Sequence, residues 1–338
     1  MPVQYSGVTD EHHATRNAVG LFDVSHMGEL HLEGPGAAEC LNALITNDLA
    51  KLAPARALYT VACNEQGTIL DDLIVYRITA EHFLVVCNAA NLSKMDAHFA
   101  QHTRGKCEYQ NRSDSTALLA LQGPRAAELV QVLGAVELSA LARFGVVRGT
   151  LAGVDVLAAR TGYTGEDGYE LFCDSDAAST LWQTLLNKGA ALGIKPVGLA
   201  ARDTLRLEAR LALYGNEIDE STSPLEAGLS WVVKLDKPSF LGRDALLAQR
   251  ERGLSRKLVG FEMVGRGIAR HGHAIVSSDG TRNLGHVTSG APGLSVGKNI
   301  GLGYVPTELA ELGTRLDILI RDKPIEARVC PTPFYKRS

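Results

Sequence analysis

The sequence predicts an α+β protein of several domains, finished by a C-terminal β domain, and three observations carry that prediction. Apolar alternation at Leu30 and Leu32 stops at Gly34-Pro35, and Ala37, Leu41, Leu44 and Ile45 then follow at helical spacing. Two strand-like runs, Ala57 to Asn64 and Thr68 to Ile78, meet at Asn64-Glu-Gln-Gly, a hairpin signal. Beyond Leu258 the chain breaks into short β-like runs separated by Gly, Asn, Asp and Pro. A length of 338 residues accommodates two or three domains.

Each element has its own local cause. Thr79-Ala-Glu closes a second hairpin between 72–78 and 82–88. Leu92, Met95 and Phe99 mark a short amphipathic helix, with Asn88 and Asn91 as cap candidates. Leu30-His-Leu-Glu-Gly-Pro-Gly-Ala-Ala-Glu resembles Leu119-Ala-Leu-Gln-Gly-Pro-Arg-Ala-Ala-Glu, which fits either two similar units or generic strand-to-helix punctuation. Val154 to Arg160 and Tyr169 to Cys173 read as strands, Ser179 to Leu192 and Leu199 to Leu213 as helices. The runs Leu258–Met263, His286–Ser289, Ile300–Val305, Arg315–Ile320 and Ile325–Cys330 predict a barrel, sandwich or jelly-roll-like domain. The expected division is a region 1–240 with an inner unit near 28–112 and the remainder at 1–27 plus 113–240. A helical connector at 241–257 and a β domain at 258–338 follow.

Composition excludes several functions. With 45% apolar and 21% charged residues the chain is globular and not disordered. A net charge of −4 without a basic run argues against nucleic acid or an anionic membrane as partner. No apolar stretch approaches the roughly 20 residues of a membrane span. Met1-Pro-Val-Gln-Tyr-Ser-Gly forms neither a signal nor a transit peptide. The six cysteines lack the paired spacing of zinc or redox sites, and a reducing, cytoplasmic setting fits them. The closest histidine pairs, His12-His13 and His271-Gly-His273, have no matching carboxylate pattern, so no metal is expected. Nucleotide-binding glycine loops, the Gly-x-Ser-x-Gly elbow and His-Glu-x-x-His are absent.

Three segments could carry chemistry. Asp71-Asp72 opens a strand in which Asp72, Ile74, Tyr76 and Ile78 share one face and Asp71 the other. Asp72 could bind a ligand amine, or it could be a satisfied turn carboxylate. Arg160-Thr-Gly-Tyr-Thr-Gly-Glu-Asp-Gly-Tyr-Glu would present Tyr163 on a tight turn, or be an ordinary charged hairpin tip. In Gly198-Leu-Ala-Ala-Arg-Asp-Thr-Leu-Arg-Leu-Glu-Ala, Arg202 and Arg206 lie one turn apart. They could grip a planar ring or a carboxylate, or sit on a solvated helix with internal ion pairs.

Together these segments resemble the aminomethyltransferase (T-protein) family of the glycine cleavage system. Phe22-Asp-Val-Ser-His-Met-Gly, Ile45-Thr-Asn-Asp, Ile69-Leu-Asp-Asp-Leu-Ile-Val-Tyr, Leu121-Gln-Gly-Pro and Leu213-Tyr-Gly-Asn-Glu-Ile match in order. So do Gly228-Leu-Ser-Trp-Val-Val-Lys, Val287-Thr-Ser-Gly and Pro333-Phe-Tyr. The resemblance implies a folate-binding fold with a ferredoxin-like unit and a second α+β unit around a central channel. It implies transfer of a one-carbon unit from the aminomethylated lipoyl arm of H-protein to tetrahydrofolate. The products are 5,10-methylenetetrahydrofolate, ammonia and the dihydrolipoyl protein. Residue by residue, it implies Asp72 as the catalytic carboxylate, and Tyr59, Tyr76, Asn88, Tyr163, Glu170, Arg202 and Tyr335 on the folate. Folate and the lipoyl arm supply the chemistry, so no metal or redox cofactor is implied.

Some features depart from the pattern. Met1-Pro-Val-Gln-Tyr matches only the end of the family's first segment, which implies either a late start or a missing first strand. Gly67-Thr68 stands where the family has Gly-Gly, and no residue near Arg256 and Lys257 cleanly matches its lipoyl-arm arginine. Phe240-Leu-Gly-Arg-Asp-Ala lacks the cysteine of the related iron–sulfur assembly proteins. The remaining alternatives are a folate-dependent demethylase of this fold and a non-enzymatic folate-binding module.

Overall fold

The structure is a computed structural model, and it describes residues 1–277, 280 and 282–337. The chain begins with α1 (Val8–Asn17) and β1 (Val19–Asp23). An inner unit follows: β2 (Gly28–Glu33), α2 (Ala37–Leu44), β3 (Arg56–Cys63), β4 (Ile69–Arg77), β5 (His82–Cys87), α3 (Leu92–Thr103) and β6 (Glu108–Asn111). Its antiparallel sheet has the order β3-β4-β5-β2-β6. Leu30, Leu32, Leu73 and Val75 pack under Leu41, Met95 and Phe99 from the two helices. That alternation is the period of two that the sequence displays.

The chain then repeats the path. It runs through β7 (Thr116–Gln122), α4 (Ala126–Val132), α5 (Val136–Ser139), β8 (Val146–Leu151), β9 (Val154–Ala159), β10 (Gly168–Asp174), α6 (Ala178–Gly189) and β11 (Ile194–Pro196). The second sheet has the order β8-β9-β10-β7-β1-β11. Its first four strands retrace β3-β4-β5-β2, so the two Gly-Pro segments mark a structural duplication. The fifth place differs. In the inner sheet β6 pairs with β2, whereas in the second β1 pairs with β7.

The two sheets face each other with helices outside. Phe22, Tyr76, Leu84, Val86, Leu118, Ala120, Leu157 and Phe172 form the layer between them. Glu29 is buried in the inner sheet, and neither of its carboxyl oxygens has a partner among the described residues.

After α7 (Leu199–Glu208) and α8 (Arg243–Arg252), six strands close a barrel in the order β12-β15-β14-β13-β16-β17. These are β12 (Arg256–Met263), β13 (Ala274–Val276), β14 (Asn283–Gly293), β15 (Lys298–Pro306), β16 (Arg315–Ile320) and β17 (Lys323–Cys330).

Two local expectations are corrected and one open alternative is decided. The helix read to Leu213 ends at Glu208, and Arg210 adopts the left-handed conformation that stops it (φ 56°). Asn88 and Asn91 precede helical turns but neither side chain caps one, because both are committed to carboxylates. Arg206 does not lie on a solvated face. Its side chain is buried and pairs with Glu217 and Asp203.

Candidate active site

The site is built where the start of β4 meets the start of β10. Asp72 is half-buried on the inter-sheet face, while Asp71 is fully buried on the other. Tyr59 Oη donates to Asp72 Oδ2 at 3.0 Å, and Asn88 Nδ2 donates to Asp72 Oδ1 at 2.7 Å. Asn88 Nδ2 also reaches Asp71 Oδ1 at 2.8 Å, its backbone N–H reaches Asp71 Oδ2 at 2.9 Å, and Asn91 Nδ2 reaches Asp71 Oδ1 at 2.7 Å. One amide therefore ties two adjacent carboxylates that point to opposite faces. Burial raises the pKa of both. The hydrogen bonds from Asn88 and Tyr59 and the Arg202 charge oppose that rise at Asp72.

Across the cleft, Glu170 Oε2 accepts from Tyr76 Oη at 2.8 Å and from the Thr161 hydroxyl. Tyr76 thus links the two sheets, and burial holds its phenol protonated. Gln122 fixes the turn before β10 by donating to Thr161 O at 3.0 Å and accepting from Thr164 Oγ1 at 2.9 Å. This is why Gly162 has no side chain: a Cβ there would lie 1.9 Å from Gln122 Oε1. Arg202, near the start of α7, lays its guanidinium 4.5 Å from the Tyr163 ring centroid.

Glu170, Arg202 and Tyr163 line one cavity of ≈ 40 Å³ together with Phe22, Met27 and Val86. That is room for about one water. A larger ligand must therefore displace side chains.

The structure thus brings Asp72, Tyr59 and Asn88 into one hydrogen-bonded group and Glu170, Tyr163 and Arg202 around the cavity, with Tyr76 behind Glu170. Tyr335 is elsewhere. It lies under Arg16, whose guanidinium is 4.0 Å from its ring centroid, and its N–H bonds Glu208 O. Arg16 in turn bridges Glu166 and Glu208 at 2.9 and 3.0 Å.

Sequence reasoning assigned no role to Thr161, Gln122 or Trp231. Trp231 is exposed and stacks on Tyr59 (centroids 5.6 Å, planes 20° apart). The signal was available in Gly228-Leu-Ser-Trp, a segment without titratable groups.

The fold and site are thus those of a two-layer α/β protein with a C-terminal β barrel, in which a carboxylate, a cationic side chain and aromatic rings surround one cavity. The family whose model is the GCVT N-terminal domain matches residues 1–237, and the glycine cleavage T-protein C-terminal barrel domain matches 256–336. Aminomethyltransferase from Desulforamulus reducens is 49% identical over 340 residues, covering 100% of this chain and 92% of that protein. Aminomethyltransferase from Halothermothrix orenii is 48% identical over 334 residues, covering 99% and 93%. The crystal structure of glycine cleavage system aminomethyltransferase T from Bartonella henselae aligns with TM-score 0.93 at 37% identity, over 99% of this chain and 92% of that one. The chain belongs to the glycine cleavage T-protein family and has its activity, folate-dependent aminomethyl transfer. Among the described residues no helix is long and apolar enough to cross a membrane.

Proposed function

We propose that the pterin of tetrahydrofolate enters between the sheets, takes the place of the Arg202 guanidinium on Tyr163, and meets Glu170 and Arg202 at its amino- and oxo-bearing edge. A carboxylate accepts from the amino side and a guanidinium donates to the oxo side. Tyr59 and Tyr76 complete the walls.

Asp72 is the group that serves the reacting folate amine. The one-carbon unit leaves sulfur and nitrogen and bridges two folate nitrogens. Each folate nitrogen loses one proton, and the thiol and ammonia gain one each. Asp72 accepts a hydrogen bond from the amine and raises its nucleophilicity toward the carbon. Tyr59 and Asn88 fix its two oxygens, and burial lifts its proton affinity toward that task.

The donor in this reading is the aminomethylated lipoyl arm of H-protein. Six free thiols suit a reducing, cytoplasmic setting for it. The observation that carries the proposal is Asp72 held by two donors beside the cavity that Glu170 and Arg202 line. Its test is transfer from aminomethylated H-protein to tetrahydrofolate by Asp72→Asn and Asp71→Asn, with circular dichroism for folding. Loss in Asp72→Asn supports it, and loss confined to Asp71→Asn overturns it.

A further inference from the structure

At the opposite end of the cleft between the sheets, we propose a divalent-metal site formed by His31, Glu33 and His82. His31 and Glu33 are two apart on β2 and share a face, and His82 opens β5 directly opposite Glu33. His31 Nδ1 lies 2.9 Å from His82 Nε2, and His82 Nε2 lies 3.3 Å from Glu33 Oε1. The ligand atoms of all three fall within 4.8 Å of one another. Two atoms bound to one tetrahedral ion at about 2.0–2.1 Å stand roughly 3.3 Å apart. The three side chains therefore need only small adjustments to hold one ion.

The donor set selects the metal. Two imidazoles and one carboxylate suit a borderline ion such as zinc, cobalt or nickel, whereas magnesium and calcium prefer oxygen. Three protein ligands leave one position open. His31 also lines a cavity of ≈ 650 Å³ with Thr116, Arg148 and Asp155, so that position has room for water or a small anion.

One group competes for the carboxylate. Arg112 Nη2 lies 2.9 Å from Glu33 Oε1, and its Nε bonds Gln110 Oε1 at 2.8 Å. The Arg112 side chain is 36% exposed, so it can swing into solvent when an ion takes Glu33. The site is remote from the transfer chemistry. The Glu33–His82 row lies six residues along the sheet from the row of Asp72, about 20 Å.

The test is titration of the intact, tag-free chain with cobalt(II), read by calorimetry and by absorption. One ion per chain is expected, with ligand-field bands of a nitrogen–oxygen site and without a thiolate charge-transfer band. His82→Ala and Glu33→Gln each weaken binding at least about tenfold. Arg112→Gln tightens it by freeing Glu33. Circular dichroism checks each fold, and His31→Gln replaces His82→Ala if the latter is unfolded. The proposal is overturned by the absence of saturable binding at millimolar cobalt, by undiminished binding in the ligand variants, or by a thiolate band.

Discussion

The two ends of the inter-sheet cleft occupy equivalent places in a duplicated fold, yet they differ in almost every side chain. The pairing registers make the comparison exact in position: Glu33 faces His82 and His31 faces Leu84 in the inner sheet, as Gln122 faces Gly168 and Ala120 faces Glu170 in the second. The sheets pack head to tail. The β4 start, with Asp72, lies at the end proposed for folate, whereas its counterpart, the β9 start with Asp155, lines the far cavity. Asp72 and Asp155 are thus the same position twice. Asp72 is half-buried under Tyr59 and Asn88, while Asp155 is exposed and bonds only Thr150 among the described residues. Burial and two fixed donors set one carboxylate apart from the other. On the proposed function, that is the difference between a reacting end and an idle one.

The largest effect tests that contrast directly. Asp72→Asn is expected to lower turnover with aminomethylated H-protein by about 10²–10⁴. Asp155→Asn leaves turnover intact, and equal losses in both would erase the distinction between the ends.

The next comparison is Glu170 with its counterpart Leu84. Glu170→Leu gives the second sheet the residue of the first and takes from the Tyr76 hydroxyl its carboxylate acceptor. Folate affinity by calorimetry is expected to fall at least about tenfold, and Arg202→Ala to do the same. Unchanged affinity in both folded variants removes the pterin from this cavity.

A smaller effect falls on stability. Asn88→Ala strips donors from two carboxylates and is expected to cost roughly 1–3 kcal/mol in urea unfolding. Asp71→Asn belongs with it, lowering stability more than turnover. Asp174, the counterpart of Asn88, is exposed, so Asp174→Ala should cost less. The reverse order would show that the far end is the better-built one.

The smallest is a pH slope. Helix α7 is tied to the barrel by Glu208, which Arg16 and Ser295 contact. Burial works against its ionisation but is outweighed by hydrogen bonds from His12 and Ser295, and its carboxyl sits at about 2 instead of 4.5. The unfolded chain therefore binds more protons between these values. The stabilisation is complete above pH 4.5 and fades as pH falls toward 2. Glu208→Gln should flatten that part of a stability profile, and an unchanged slope would assign it to another group.

Much of this was legible in sequence because its causes are local. The repeat at Leu30 and Leu119 showed strand, Gly-Pro and helix twice, and alternation correctly put Asp72 and Asp71 on opposite faces. The replacement of β6 by β1 was hidden, since nothing within Val19–Asp23 says which sheet receives it. Asn88 and Asn91 misled for a physical reason. Asparagine before a helix is ordinarily a cap, but here buried carboxylates compete for the same amide and win. For Arg206 the sequence leaves a carboxylate grip and a solvated face both open, because the Glu217 that decides between them is supplied by a later loop. The resemblance puts Tyr335 on the folate, and in the structure its ring lies under Arg16, outside the residues that line the cavity.

The position of β1 has a consequence for how the chain is made. The strand ladders of the inner sheet all lie between residues 28 and 111 and can form once residue 111 has left the ribosome, with the Arg56–Gly145 bridge and the Ile69–Thr222 bond added later. β1 is synthesised before all of it, yet its partners lie at 116–122 and 194–196. Leu21 and Phe22, both buried in the finished protein, must wait uncovered while most of two further units emerge. β1 is thus seated later than the strands of the inner unit that follow it, and an unpaired apolar strand is a template for the wrong neighbour. Crowded nascent chains should therefore miscombine through Val19–Asp23 before they do so anywhere in the inner unit.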